Sequence, residues 1–219
     1  MFNYIVTTDT DANLSTLDFD ASRLAIEGSV ADLLFRAART VNAFTDEAVT
    51  DEEIQSVYDL VRWGPTAMNT SPLRLLLVRS PEARERLAGH LSEGNRSRAL
   101  AAPLTIVAAA DANFHEHLGT LVPHLPNARE MFADDSAART AMARTSALIQ
   151  VGYLIVGLRA AGLHAGPMGG MDAAGIDAEF FAGNGWNSLL VINVGQPSGP
   201  DAVRPRAPRL EFDQASRVV

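Results

Sequence analysis

The chain has 219 residues, 47% hydrophobic and 20% charged, which fits one large domain with a sizeable core and excludes global disorder. A net charge of -8 leaves no bulk basic face and argues against a general nucleic-acid binder, although a few local arginines can still take an anion. Cysteine is absent, which removes disulfides, thiolate nucleophiles and cysteine-based metal sites, and all 18 basic residues are arginine, so no Schiff base can form and any phosphate must be held by guanidinium and backbone N–H groups.

Residues 1–29 read as a polar leader or arm. They carry Asp9, Asp11, Asp18 and Asp20 and lack the basic start and apolar core of a signal peptide. Phe2 to Thr8 could form a strand. Leu33, Leu34 and Ala37 predict a first helix from Val30 to about Thr40, ending in the polar cluster Arg39-Thr40-Val41-Asn42-Ala43-Phe44. Thr50 with Glu53 is a capping box, and Ile54, Val57, Tyr58 and Val61 recur at helical spacing behind it. That helix stops at Gly64-Pro65 and opens onto the polar stretch Thr66-Ala67-Met68-Asn69-Thr70-Ser71.

Leu73 to Arg79 is an apolar run expected to be a central strand covered on both faces. Ser80-Pro81-Glu82 starts another helix, and Gly94-Asn95-Arg96-Ser97-Arg98 is expected to be a polar loop. Pro103 to Ala110 gives a second buried strand. Residues 111–133 are irregular enough for a lid. Their His115, His117 and His124 read as surface histidines, and no metal is expected.

Asp134 to Gly162 is the longest predicted helix, with Ala138, Ala141, Met142, Thr145, Leu148, Ile149, Gly152, Tyr153 and Val156 as its apolar face. Its small residues suit the core or a subunit interface. The apolar part, Ala147 to Leu158, is too short to span a bilayer, so a soluble, cytoplasmic protein is expected. A backbone-rich loop follows from Leu163 to Asp172, then a short helix capped by Asp172. Ser188 to Val194 is a third buried strand, and a basic tail holds Arg204, Arg206 and Arg209.

No dinucleotide fingerprint, P-loop, nucleophile elbow or zincin motif is present. What remains is a set of polar loops, 39–44, 64–71, 94–98, 166–170 and 204–209. They offer arginines for a phosphate, amides for a polyol or a ring edge, and glycines that can lie flat against a planar ring.

Taken in this order, the motifs resemble the FMN-dependent nitroreductase family, most closely its malonic semialdehyde reductase branch, over about residues 30–219. Arg39-Thr40-Val41-Asn42-Ala43-Phe44 is similar to the family's Arg-Ser-x-Arg/Lys-x-Phe. Pro65-Thr66-Ala67-x-Asn69 resembles its Pro-Ser-x-x-Asn loop, with Ser71-Pro72 in place of the usual Gln-Pro. Gly94-Asn95 with Arg98 matches its Gly-Asn segment, Gly166-Pro167-Met168-Gly169-Gly170-Met171-Asp172 its flavin-facing loop, and Arg206 with Arg209 its C-terminal phosphate clamp. Asn42 stands where many members have a cation, Gly169 where some have Glu, and Met171 where Phe is common.

The resemblance implies an α+β sandwich: a mixed, mostly antiparallel sheet flanked by helices, in a homodimer with FMN at its interface. The implied activity is ping-pong hydride transfer from NAD(P)H through flavin N5 to a small-molecule substrate, without nucleic-acid or membrane partners. Arg98 would favour the reduced flavin near N1, and the Gly169 or Gly170 N–H would hold N5. Arg39, Thr40, Asn42, Asn95, Pro167, Met168, Arg206 and Arg209 would bind the cofactor. Pro65, Thr66 and Ala67 would lie against the ring, from the partner subunit as in many members, and Asn69 would reach toward the ribityl chain, in its own or the neighbouring subunit. The expected acceptor is a small carbonyl such as malonic semialdehyde. The alternatives are a nitroaromatic or quinone reductase, a biosynthetic flavin-dependent oxidase, and a flavin-binding protein without turnover.

Overall fold

A computed structural model describes residues 23–219; the expected Phe2–Thr8 strand and most of the leader lie outside the described residues. Four strands form one sheet in the order β1-β2-β4-β3, and every neighbouring pair is antiparallel. They are β1 (Leu73–Val78), β2 (Leu104–Asp111), β3 (His164–Met168) and β4 (Trp186–Gly195). β2 and β4 are central. β1 is an edge strand, contrary to expectation: its apolar run is shielded by helices above and below, not by a second neighbouring strand.

Alternation along β2 divides the core. Leu104, Ile106, Ala108 and Ala110 face one layer, built mainly on α2 (Asp51–Val61) and α6 (Ser136–Ala160). Val107 and Ala109 face the other, built on α3 (Pro81–Gly89), α4 (Glu93–Ala101) and α7 (Ala173–Phe180). α1 (Gly28–Ala31) runs into a π-helical turn over Asp32–Arg36, short of the expected Thr40. α5 (Leu118–Leu121) and α8 (Phe212–Ala215) are single turns.

The start of α2 follows its sequence signal. The Thr50 N–H donates to Glu53 Oε2 (2.7 Å) and the Glu53 N–H to Thr50 Oγ1 (3.2 Å). Ser80 caps α3 and Asp172 caps α7, each accepting a backbone N–H three residues on.

α4 replaces the loop expected at 94–98. Arg96 Nε donates to the Ala88 carbonyl (3.0 Å), which fastens this weakly helical stretch to the end of α3. Residues 111–133 are packed rather than lid-like, with Phe114, Leu118, Val122 and Ala128 buried.

α6 is turned differently from its predicted face. The buried side is Ala143, Ser146, Ala147, Gln150, Val151, Leu154, Gly157 and Leu158. Most of the predicted stripe points outward, with Leu148 41%, Ile149 44% and Tyr153 46% exposed. The helix is apolar around most of its circumference, so spacing alone selects no face. The small side selects it: a Cβ on Gly157 would collide with Val61, so the glycine sets how closely α6 crosses α2. The 25 residues of α6 are long and apolar enough to cross a membrane by length and composition, correcting the expectation from Ala147–Leu158, but its inner face is part of the protein core.

Candidate functional site

β3 builds the floor of the site. It was expected to be loop, because Gly166 and Pro167 are poor strand residues. At a sheet edge, however, the missing Pro N–H costs no ladder bond on the open side. The extended segment after the π-helical turn crosses this edge. The Val41 N–H donates to the Ala165 carbonyl (3.1 Å) and the Asn42 N–H to the Ala202 carbonyl (2.8 Å). A Cβ at Gly166 would collide with the Val41 carbonyl oxygen, so glycine is what permits the crossing. The tail closes the far side: Arg206 Nη2 donates to the carbonyls of Arg36 and Ala38, the latter at 3.1 Å.

Between these segments lies a cleft of about 510 Å³. Arg39, Thr40, Asn42, Arg98, Pro167, Arg206 and Arg209, all singled out by sequence, line it together. At its inner end a small hollow adds Gly166, Met168 and the buried Asn193. Arg159, Arg204, Leu34 and Ile155 also line the cleft. Sequence reasoning placed Arg204 in the basic tail without a role and missed Arg159, whose only signal was a charge in the last turn of an apolar helix.

Among the described residues, six arginines and no carboxylate line this cleft, in a protein of net charge -8. Two of the six are largely committed to structure. Arg159 donates through Nε and Nη2 to the Leu33 carbonyl (3.1 Å each) and through Nη1 to His164 Nδ1 (2.9 Å). Arg206 ties the tail to residues 36–38. Burial, then the Arg39 charge, lowers the pKa of both; Arg209 adds to the effect on Arg206. His164 is pushed down to about 4, first by burial and then by Arg159, so it stays neutral and accepts the Arg159 hydrogen bond. Arg39 Nη1 is buried with no hydrogen-bond partner among the described residues. A buried, unpaired guanidinium N–H among other cations is costly unless an anion joins it.

Two groups of expected residues lie apart from the cleft lining. Gly169 and Gly170 follow β3 directly and are exposed, while Asn95 Nδ2 donates to the Gly170 carbonyl at 3.0 Å. Pro65, Thr66, Ala67 and Asn69 do not line the cleft of their own chain. The Ala67 N–H donates to Ser146 Oγ (3.3 Å) and Asn69 Nδ2 to the Leu121 carbonyl (2.8 Å), so the Asn69 amide is bonded within its own chain, away from this cleft. Met68, Asn69 and Ser71 have φ of 50°, 54° and 40°, a concentration of left-handed residues that marks a strongly constrained loop. Ser71 lines a second hollow, of about 540 Å³, with Tyr58, Arg74, His117 and Trp186.

His115 is buried edge-on to Phe114, not at the surface; burial, then Arg139, lowers its pKa. Among the described residues no group of three His, Cys, Asp or Glu side chains could hold a metal.

The family model described as Nitroreductase family matches residues 35–196. A Streptomyces coelicolor protein provisionally named NADH dehydrogenase/NAD(P)H nitroreductase is 53% identical over 196 residues, 90% of this chain and 99% of the relative. A similarly named protein of Leptothrix cholodnii is 47% identical over 89% of this chain and 98% of its own length. A nitroreductase structure from Exiguobacterium sibiricum, solved in complex with FMN, superposes with a TM-score of 0.76 at 17% identity, covering 90% of this chain and 99% of that one.

Proposed function

Because the chain belongs to the nitroreductase family, we propose that the arginine-lined cleft holds FMN and that the protein is an FMN-dependent NAD(P)H oxidoreductase. The observation that carries this reading is the buried, unpartnered Arg39 Nη1 in a cleft of six arginines without a carboxylate. That donor set fits a phosphate, which takes several charge-assisted hydrogen bonds at once. Thr40 and Asn42 add neutral polar groups for a polyol or ring edge, and Leu34, Ile155 and Pro167 add apolar wall.

When bound, FMN would supply two-electron redox chemistry between NAD(P)H and a second substrate. The chain's own residues bind and orient. Arg39 and Arg209 would hold the phosphate, and Arg206, tied through Nη2 to the Arg36 and Ala38 carbonyls, would add positive charge beside it. Arg98, which lines both the cleft and its inner hollow, places positive charge at the buried end. No side-chain nucleophile is required, in keeping with the absence of cysteine and lysine.

The outward stripe of α6, with Leu148, Ile149 and Tyr153, supports a homodimer. In that dimer the constrained 65–69 loop would close the neighbouring subunit's cleft, which accounts for its distance from its own.

For the acceptor we propose a small carbonyl such as malonic semialdehyde, an anion suited to a cationic cleft. A nitroaromatic or quinone acceptor is the second reading, favoured by the relatives' names. Purified protein should be yellow, bleach with NAD(P)H under anaerobic conditions, and reoxidise with one acceptor of a panel. A colourless preparation that FMN cannot reconstitute would refute the cofactor, and reoxidation by nitroaromatics alone would refute the carbonyl acceptor.

A further inference from the structure

The turn after β3 is gripped from outside. The Gly170 carbonyl oxygen accepts two hydrogen bonds, from the Ser92 N–H and from Asn95 Nδ2, each at 3.0 Å. Both donors belong to the start of α4, where Ser92 is the N-cap. A Cβ on Gly170 would sit 2.6 Å from Ser92 Oγ and 2.8 Å from Asn95 Nδ2, so a side chain there would push both groups aside. One step along, the Asp172 N–H donates to the His90 carbonyl (2.7 Å), and Leu91 bridges Met171.

The gripping corner is itself braced. Glu179 of α7 accepts from Arg86 Nε and from His90 Nε2 of the α3 end, both at 2.5 Å. The Arg86 guanidinium also stacks over Phe180 at 4.8 Å. Within this frame the N–H groups of Gly169 and Gly170 donate to no acceptor among the described residues. They lie immediately beyond Pro167 and Met168 of the cleft.

We propose that Asn95 is a positioning residue. Its carboxamide fixes the Gly170 carbonyl, and through the Gly170 Cα it orients the preceding peptide, so that the Gly169 and Gly170 N–H groups are held in a fixed direction at the end of β3. Glu179 acts at one remove, by fixing His90 against α7. What the amides face rests on the proposed function; the locking does not.

The test uses the full chain carrying Asn95→Leu, Asn95→Gln or Glu179→Gln. Amide hydrogen exchange without FMN reads the lock at Ser92 and Asp172, whose N–H groups are bonded across it. Asn95→Leu should speed exchange at both about tenfold and Glu179→Gln about threefold, while Asn95→Gln, which keeps the donor, should restore part of the protection. Wild-type exchange in both Asn95→Leu and Glu179→Gln would overturn the proposal. FMN titration and steady-state kinetics supply the second readout. Asn95→Leu should alter the bound flavin spectrum and lower kcat more than it raises KM for NAD(P)H; an unchanged spectrum and kcat would overturn the positioning role. Faster exchange in a chain that never binds FMN would uphold the lock and overturn the cofactor reading.

Discussion

Replacing Arg39 by Met should raise the stability of the FMN-free protein while weakening FMN binding. The change keeps most of the side chain's apolar stem and removes its charge. In the free protein the Arg39 guanidinium has a buried Nη1 without a partner and lowers the pKa of Arg159 and Arg206. An unsatisfied buried polar group costs about 1–3 kcal/mol, so partial relief should return about 1 kcal/mol, or roughly 2–4 °C in Tm at this chain length. With FMN the sign reverses. Hydrogen bonds to charged groups contribute about 1.5–3 kcal/mol, so Kd should rise roughly 10- to 150-fold. Scanning calorimetry of the flavin-free protein and a fluorescence titration with FMN measure the two effects. A lower Tm together with unchanged FMN affinity would refute the reasoning, since it would make Arg39 a structural residue with no anion to hold.

Three further outcomes are expected. Gly166→Ala forces a Cβ against the Val41 carbonyl and should cost about 2 kcal/mol, roughly 4–8 °C in Tm, together with FMN affinity, whereas Gly119→Ala, with nothing within 4 Å of the new methyl, should leave FMN affinity unchanged; paired thermal melts and titrations compare them. His164 has a folded-state pKa depressed to about 4, so between about pH 6.5 and 4 the unfolded chain binds the extra proton, and stability falls as pH drops through that window by about 1–3 kcal/mol, solvent screening of this half-buried ring lowering the figure. Urea denaturation from pH 7 to 4 should show that slope, and His164→Gln should flatten it. If the proposed homodimer forms through the outward face of α6, the double change Leu148→Arg and Ile149→Arg should leave a folded protomer of half the wild-type mass by sedimentation; an unchanged mass would overturn that interface.

Where one local rule governed, the chain was legible in sequence. The Thr50–Glu53 box, the Ser80 and Asp172 caps and the apolar runs of β1, β2 and β4 all appear where expected. Residues that answer to tertiary demands were not legible. β3 carries Gly166 because another backbone crosses it and Pro167 because it lies at an edge; both make a strand read as loop. α4 is weakly helical by composition and depends on its contacts with α3 and Gly170. α6 is apolar on two sides, so periodicity could not say which one faces the sheet. The resemblance placed seven cleft residues together. It gave no sign that Asn69 is spent on Leu121, or that Arg159 and Arg206 are largely spent on main-chain carbonyls.

The Arg206–Arg36 contact joins positions 170 residues apart, and the cleft lies along that seam. An anion held jointly by Arg39 and Arg209, as proposed, would act as a removable cross-link between the segment at 36–39 and the basic tail. Closing so long a loop costs chain entropy that no local helix or hairpin offsets, so this seam should be the last part of the fold to form and the first to open. Loss of the ligand should then expose the basic tail to proteases before the sheet gives way, and the yellow colour of a preparation would report that the tail is still fastened to residues 36–38.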